Sequence, residues 1–280
     1  MIMGANIGTT VTNTLASLGS IRRSEEFRRA FAAATVHDFF NLFAVAILLP
    51  LELMFGVLSG IAEEITELVR GIDFDASAPA RSPIRIAVKL PIGWFENLVT
   101  PSPVTALVFL GLGLLLIFAA LALITKNMRR LVAGSVERVM NRIIGRGGGT
   151  VGILVGIGVT VAVQSSTITT SILVPLVAAG ILTLPSAYPI TVGANIGTTI
   201  TALLASLAVM RPEGLTIAIV HLLFNVSAVA IIFPIRQIRL IPVRLAEGLA
   251  SLAIRKRWVV FVYAISLFLV FPLLGVFLIR

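Results

Sequence analysis

Long apolar segments alternate with short charged ones along this chain, and the alternation predicts a bundle of membrane-spanning helices. A helix of about 20 apolar residues crosses the hydrocarbon core of a bilayer. The block 150–208 is also apolar, but prolines, glycines and polar residues interrupt it. We expect a re-entrant hairpin and discontinuous helices there, since broken backbone at membrane depth needs surrounding protein or a polar cavity. The uninterrupted predicted spans are 32–58, 103–125, 215–235 and 258–279.

Polar phrases occur twice within this apolar chain. The sequence Gly-Ala-Asn-Ile-Gly-Thr-Thr starts at Gly4 and again at Gly193. A histidine, and an asparagine four residues after it, follow each copy at a similar distance: His37 and Asn41, then His221 and Asn225. Such a repeat in an apolar chain is typical of transporters built from two halves. We expect the matched asparagines to brace the interface between the halves by hydrogen bonds, and the histidines to pack there.

The charges between the apolar segments indicate how the two halves are oriented. Basic residues outnumber acidic ones in 20–30, 126–149 and 236–257. Because Lys and Arg concentrate in cytoplasmic loops, these segments are predicted to lie inside and the more acidic segment 59–102 outside. The long helix of the first half then runs outward and its counterpart in the second half runs inward. The sequence therefore predicts an all-α membrane protein with inverted repeats.

These patterns divide the chain into a series of segments. Because a long apolar stretch precedes the second copy of the phrase and not the first, we expect the first repeat to be truncated at its N-terminus. The predicted segments are 1–58 for the remnant of the first repeat, 59–102 for an extracellular connection, 103–125 for a transmembrane helix, 126–149 for a cytoplasmic amphipathic linker, 150–235 for the second repeat with its hairpin, 236–257 for a basic cytoplasmic segment and 258–280 for a C-terminal transmembrane helix.

Composition supports the membrane assignment and narrows the chemistry. The chain is 58% hydrophobic and 12% charged, with a mean hydropathy of +1.04, whereas soluble domains carry about 25% charged residues. The net charge of +9 lies between apolar runs, so we attribute it to membrane orientation and expect no nucleic-acid partner. With no cysteine and two histidines, neither thiolate nor zinc sites are expected. We predict no cofactor.

Hydroxyl and amide side chains cluster inside the interrupted block. Residues 164–170 read Gln-Ser-Ser-Thr-Ile-Thr-Thr. Their oxygens suit alkali cations such as Na⁺, and their protons can bind an oxyanion. Ser and Thr also bond back to their own helix in membrane proteins, which is the structural alternative. The density of polar groups favours a ligand site.

The second copy of the repeated phrase offers a further polar cluster. If a half-helix begins at Gly193, its free N–H groups form an anion site. The alternative is that Gly193 and Gly197 pack closely against another helix, as small residues often do in membranes. Gly152 and Gly156 have the same spacing but no polar neighbours, so for them we predict packing.

The charged residues are absent where the polar ones cluster. No Asp, Glu, Lys or Arg lies between Thr150 and Met210. An oxyanion that arrives together with cations brings its own countercharge, so this absence favours cation–anion symport over binding of either ion alone. Asp38 and Glu52 lie near the ends of their predicted helix, where we expect them to reach water.

Two motifs together carry a resemblance to a known family. Gln164-Ser165-Ser166, followed by the phrase that begins at Gly193, resembles the type II sodium-dependent phosphate cotransporters and their bacterial relatives. The resemblance extends from Gly4 to about Pro234. It implies Na⁺-coupled uptake of inorganic phosphate by a multi-pass protein of the plasma membrane. It also implies two facing Gln-Ser-Ser hairpins, the first of which would fall before the first residue of this sequence.

The resemblance also assigns candidate site residues. Those implied to contact phosphate or sodium are Gln164, Ser165, Ser166, Thr167, Asn195, Thr198 and Thr199, with Asn6, Thr9 and Thr10 from the first repeat. Sodium would be held by Gln164, Ser165, Ser166 and Thr198. The sequence leaves open an ion channel or an inactive structural remnant. An enzyme acting on a lipid phosphate is not expected, because the central block holds no acid and no histidine.

Overall fold

The chain is helical wherever its structure is described. The computed structural model describes residues 2–8, 10–71, 149–209 and 212–270, with positions 105, 107–112, 115 and 273. No strand occurs in these ranges. Three of the described helices are long and apolar enough to cross a membrane: Ser24–Phe55, Leu184–Leu207 and Glu213–Ile232. The predictions for the span 103–125 and the linker 126–149 fall largely outside the described residues.

The helices are numbered in chain order. By contacts the chain divides into two compact units, Met1–Leu68 with Val132–Arg280, and Val69–Leu131. All residues discussed below belong to the first unit. The helices are α1 (Ile2–Gly8), α2 (Val11–Leu18), α3 (Ser24–Phe55), α4 (Val57–Gly71), α5 (Gly149–Val163), α6 (Ser166–Ala178), α7 (Leu184–Val209), α8 (Pro212–Ile232), α9 (Arg236–Arg239), α10 (Ile241–Arg255) and α11 (Trp258–Ile265), which continues as the π-helix Ser266–Val270.

Helix α3 is longer than its apolar run. It begins at Ser24, well before the predicted start at residue 32, and it carries Glu25 and Glu26 in its first turn. Acidic side chains there are favoured by the positive end of the helix dipole. The helix ends at Gly56, which adopts φ 58°. Glu52 then accepts the backbone N–H of Leu58 at 2.7 Å, which caps the start of α4.

Helices α5 and α7 pack at backbone distance because glycines line their contact. A Cβ atom on Gly156 would lie 2.0 Å from the carbonyl oxygen of Ile190, and one on Gly193 would lie 2.1 Å from that of Ile153. No side chain fits into such gaps, so both positions require glycine. The predicted packing role of Gly152 and Gly156 is confirmed.

The second copy of the repeated phrase lies inside a continuous helix. Helix α7 runs unbroken from Leu184 to Val209, so the expected half-helix beginning at Gly193 is wrong. The N–H groups of the phrase are used within the helix, and its glycines provide the close contact with α5 instead. The breaks fall at Gln164–Ser165, between α5 and α6, and at Thr10, between α1 and α2.

The basic segment that follows α8 is folded onto the bundle. Its main helix, α10, presents a face of small residues that is buried against α3. Ala246, Ala250 and Ala253 on this face are fully buried. Small side chains allow the two helices to approach closely, and the charged residues of the segment remain on the other side.

Candidate functional site

Paired asparagines join the two halves of the chain. Asn6 Nδ2 donates to Asn225 Oδ1 at 2.8 Å. Asn195 Nδ2 donates to Asn41 Oδ1, also at 2.8 Å. All four side chains are buried. Because Asn6 corresponds to Asn195 and Asn41 to Asn225 in the repeat, these two bonds are equivalent and reciprocal.

Backbone and histidine contacts extend the same reciprocity. Asn41 donates to the carbonyl of Asn6 at 2.9 Å, and Asn225 donates to the carbonyl of Asn195 at 3.2 Å. The two histidines complete the set: His37 Nε2 lies 2.5 Å from Asn195 Oδ1, and His221 Nε2 lies 2.9 Å from Asn6 Oδ1. Each contact therefore has a counterpart related by an approximate two-fold axis. The expectation that Asn41 and Asn225 brace the interface is confirmed.

The bracing contacts occupy the side chains of Asn6 and Asn195. In each, the oxygen is within hydrogen-bond distance of a histidine and the nitrogen donates to an asparagine of the other half. Buried amides with both ends paired hold neighbouring helices in one register. Contact of these two side chains with a substrate stays a prediction.

A second polar contact joins α2 to α6. Asn13 Nδ2 donates to Thr170 Oγ1 at 2.8 Å, and Asn13 Oδ1 accepts the hydroxyl of Ser171 at 3.2 Å. Asn13 is 2% exposed. It lies in the first turn of α2, and its partners lie in the second turn of α6, so the N-terminal parts of these two helices meet.

Asn13 was missed in the sequence, although a signal was present. The first copy of the repeat continues as Thr-Asn-Thr from Thr12, whereas the second continues as Thr-Ala-Leu from Thr201. A departure from the repeat that adds polar groups to an apolar segment needs partners in the fold. The structure supplies these partners on α6.

The break between α5 and α6 exposes backbone N–H groups. Gln164 adopts φ 56°, which is uncommon for a residue other than glycine. Ser165 is extended, and its hydroxyl accepts the N–H of Ile168 at 3.3 Å. The N–H groups of Ser166 and Thr167, in the first turn of α6, have no partner within the helix. The positive end of the helix dipole therefore lies beside the Gln-Ser-Ser motif.

Segments 164–170 and 193–199 are linked through one residue of α5. Thr160 Oγ1 lies 2.9 Å from Thr169 Oγ1, and the Thr160 Cβ lies 2.6 Å from the position that a Cβ on Gly197 would occupy. Thr160 is fully buried. The two predicted polar clusters therefore lie on neighbouring helices, inside the protein.

The threonines of the second phrase bond back to their own helix. Thr198 donates to the carbonyl of Ala194 at 3.1 Å, and Thr199 donates to that of Ile196 at 2.7 Å. This is the structural alternative considered from the sequence. It consumes the hydroxyl protons, whereas the oxygen lone pairs stay available to a cation.

Thr10 and Asp38 bring the first repeated phrase next to a carboxylate. Thr10 is fully buried and donates to the carbonyl of Ile7 at 3.0 Å, and its hydroxyl lies beside Asp38. Asp38 Oδ2 accepts the hydroxyl of Tyr263 at 2.5 Å. Its Oδ1 is buried with no hydrogen-bond partner in the described part of the chain. Thr9, also predicted for the site, lies outside the described residues.

The burial of Asp38 corrects the sequence interpretation. Asp38 is 0% exposed rather than solvated, because α3 starts at Ser24 and places it in mid-helix. The absence of charge between Thr150 and Met210 therefore does not leave the polar centre without a carboxylate. Ionisable side chains inside a membrane segment are costly and commonly mark an ion pathway.

Comparisons with known proteins agree with this polar centre. The sequence model of the family described as Na⁺/Pi-cotransporter matches residues 114–254. Sodium-dependent phosphate transport protein 2B of Bos taurus is 33% identical, over 98% of this chain and 52% of that protein. The 2B protein of Homo sapiens is 32% identical over the same shares, and the 2A protein of Ovis aries is 32% identical over 97% of this chain and 53% of that protein.

The coverage of these relatives is partial. This chain spans about half the length of the curated relatives that it matches. No solved structure matches the chain.

Proposed function

This chain belongs to the Na⁺/Pi-cotransporter family, and from that premise we propose that it takes part in sodium-dependent symport of inorganic phosphate across the plasma membrane. The observation that carries the proposal is the meeting of α2 and α6 at Asn13 and Thr170. This contact brings the first repeated phrase to the Gln-Ser-Ser segment, with Asp38 beside Thr10. Groups suited to an anion and to a cation are thereby gathered in one buried region.

The proposed architecture consists of two inverted repeats, 1–58 and 150–235, with the remaining segments divided as the sequence predicts. The reciprocal bonds of Asn6 with Asn225 and of Asn195 with Asn41 support this pairing. Two-fold related contacts arise naturally when two homologous halves face each other in opposite orientations. The charges of the connecting segments support the inversion.

Helices α5 and α6 form the proposed re-entrant hairpin. They contain 15 and 13 residues, which correspond to lengths of about 22 and 20 Å. Neither reaches across a hydrocarbon core of about 30 Å. A pair of short helices joined at Gln164 and Ser165 therefore enters the membrane and returns on the same side, with its tip among polar groups of the protein.

The proposed phosphate site is the tip of this hairpin. The unpaired N–H groups of Ser166 and Thr167 and the positive end of the α6 dipole attract an anion. The side chains of Gln164 and Ser165 add donors that can orient its oxygens. The start of α2 meets α6 close by and adds a second positive helix end.

Sodium would supply the positive charge that this site lacks. The hydroxyl oxygens of Ser166 and Thr198 and the amide oxygen of Gln164 are suitable ligands. Asp38 adds a buried carboxylate that a cation can neutralise. Asn6 and Asn195 are assigned a bracing role, because their side chains are already paired. In this scheme neither ion binds well alone, which couples their movement.

Removal of the Ser165 hydroxyl should impair uptake of phosphate by the chain in proteoliposomes. Because a hydrogen bond to a charged ligand contributes about 1.5–3 kcal/mol, Ser165→Ala should lower the rate at subsaturating phosphate about tenfold or more. Thr198→Ala should lower it as well. The matched control is Ser206→Ala, since Ser206 donates only to the carbonyl of Leu203 in its own helix.

The same assay tests the proposed function. Uptake should saturate with phosphate and should stop when choline replaces sodium. Uptake that persists undiminished in choline would reject sodium symport, and uptake that rises linearly without saturation would favour a channel. Full activity in both Ser165→Ala and Thr198→Ala would remove the proposed site.

Neutralising Asp38 should act on sodium rather than on phosphate. Asp38→Asn keeps the shape of the side chain but removes the buried negative charge, so we expect the sodium concentration for half-maximal uptake to rise about tenfold. The measurement is sodium-activated uptake at saturating phosphate. Glu52→Gln is the control, because Glu52 caps α4 away from the polar centre. An unchanged sodium dependence in Asp38→Asn would exclude Asp38 from the cation site.

A further inference from the structure

A cavity of about 260 Å³ lies away from the hairpin tip, where the beginning of α3, the α6–α7 turn and α10 come together. Arg28 and Arg29 line it from α3, Gly180 and Thr183 from the turn, and Glu247 from α10. A single water needs only about 15 Å³, so a cavity of this size admits a tetrahedral oxyanion. None of its lining residues belongs to the transport site proposed above.

Arg29 is the side chain that distinguishes this cavity from an ordinary groove. Among the described residues, no carboxylate lies within ion-pair distance of its guanidinium. Its Nε is buried and has no hydrogen-bond partner. Arg28, in contrast, is held by Glu25 at 3.1 Å. Arg29 is therefore a cation on the cavity wall whose donors are not satisfied by the described protein.

The α6–α7 turn is shaped to receive this guanidinium. Gly180 adopts φ +75°, and a Cβ there would lie 2.7 Å from Arg29 Nη1. Glycine is thus required both by the backbone conformation and by the close approach of the arginine. Such an arrangement fixes the planar fork of donors, which matches the oxygens of a phosphoryl group.

The start of α7 adds to the positive potential at the cavity. Thr183 precedes the first turn of this 26-residue helix, and its carbonyl accepts the N–H groups of Ser186 and Ala187. The N–H of Leu184 lies in the first turn, where the helix offers no acceptor, and Pro185 has none to offer. Two arginines and a helix N-terminus thus face Glu247, the one acidic residue among the described residues of the wall.

We propose that this cavity, the Arg29 cavity, binds a phosphoryl group independently of sodium. Arg29 makes the main contact, with Arg28 and the N-terminus of α7 in support. Two sources share this chemistry: inorganic phosphate and the headgroup of an anionic phospholipid. Basic pockets between helices at a membrane surface commonly bind lipid phosphates. The site is separate from the transport site and does not depend on the proposed function.

Binding is measured with the purified chain in choline buffer, where the proposed transport site has no sodium. One arm titrates inorganic phosphate. The other compares retention of phosphatidic acid and phosphatidylcholine after extraction from vesicles that contain both. Arg29→Gln should weaken binding about tenfold in the arm that shows it, whereas Arg22→Gln, an exposed arginine outside the cavity, should bind as the unmodified chain does.

The outcomes separate the two sources and allow rejection. Phosphate binding that is lost in Arg29→Gln identifies the free ion, and selective loss of phosphatidic acid identifies the lipid. If Arg29→Gln does not fold, Arg28→Gln carries the test with the same expected direction. The proposal is overturned if the unmodified chain binds neither probe, or if the cavity variants bind like Arg22→Gln. Sodium-dependent uptake is scored separately, so its failure would not be confused with failure of this site.

Discussion

Gly156→Ala should destabilise the protein by about 3 kcal/mol, the upper part of the range for overpacking a closely packed interior. The added methyl group would lie 2.0 Å from the carbonyl oxygen of Ile190 and 2.9 Å from the backbone nitrogen of Ala194. Both are backbone atoms of α7, so no side chain can rotate away and the two helices must separate. The expected result is a lower free energy of unfolding in detergent and a loss of folded protein.

The chain provides a matched control on the same helix. Gly158 lies two residues after Gly156, and a Cβ there would meet nothing within 4 Å. Gly158→Ala should therefore change the free energy of unfolding by less than about 1 kcal/mol, with helix propensity favouring alanine. Equal stability of the two variants would contradict the close packing of α5 and α7.

Asn195→Leu should have the second large effect, because it breaks the reciprocal bonds between the halves. Leucine has a similar volume but leaves the ring nitrogen of His37 and the amide oxygen of Asn41 without partners. Since a buried unpaired polar group costs about 1–3 kcal/mol, we expect a total loss of about 3 kcal/mol. Asn6→Leu should cost a similar amount, because it strands His221 and Asn225 in the same manner.

The control for these variants removes a buried hydroxyl that bonds only within its own helix. Thr191 lies one turn before Asn195 on α7 and donates to the carbonyl of Ala187 at 3.2 Å. Thr191→Val should cost less than about 1 kcal/mol. A neutral effect of Asn195→Leu, or a large difference between Asn195→Leu and Asn6→Leu, would contradict a two-fold related interface. Chemical denaturation of each variant supplies the comparison.

The repeat in the sequence predicted the bracing contacts because matched polar residues in apolar helices need partners, and the other repeat is the nearest source of them. Asn41 and Asn225 could be paired from the sequence on this ground. Their partners could not, since the side chains of Asn6 and Asn195 had equal reason to face a ligand. Only the positions of the helices in the bundle distinguish the two uses.

Asp38 shows where hydropathy alone fails. The apolar pattern marks where a helix becomes buried, not where it begins, and the charged first turns of α3 precede that point. Starting from Ser24 places Asp38 about four turns into the helix. A prediction based on the apolar boundary instead placed it near an end, where a carboxylate would reach water.

The unbroken α7 shows a related ambiguity. Gly193 and Gly197 permit an unwound turn but do not require one. The choice is made by α5, whose backbone packs against these glycines and stabilises the helical conformation. A contact between segments about forty residues apart cannot be read from local composition. The break at Gln164 was easier to predict, because polar residues there have no apolar surface to bury.

Occupation of the hairpin tip by both ions together can be measured directly, because the chain has no cysteine. Thr167→Cys places a single thiol in the first turn of α6 with little change in size. The rate at which a polar thiol reagent modifies this residue in proteoliposomes reports whether the tip is occupied. The rate is compared in sodium, in phosphate with choline, and in sodium with phosphate.

We predict that sodium and phosphate together slow the modification of Thr167→Cys severalfold, and that neither ion does so alone. Equal protection by phosphate in choline would contradict joint capture of the cation and the anion. An unchanged rate under all three conditions would show that the tip of the hairpin is not the binding site.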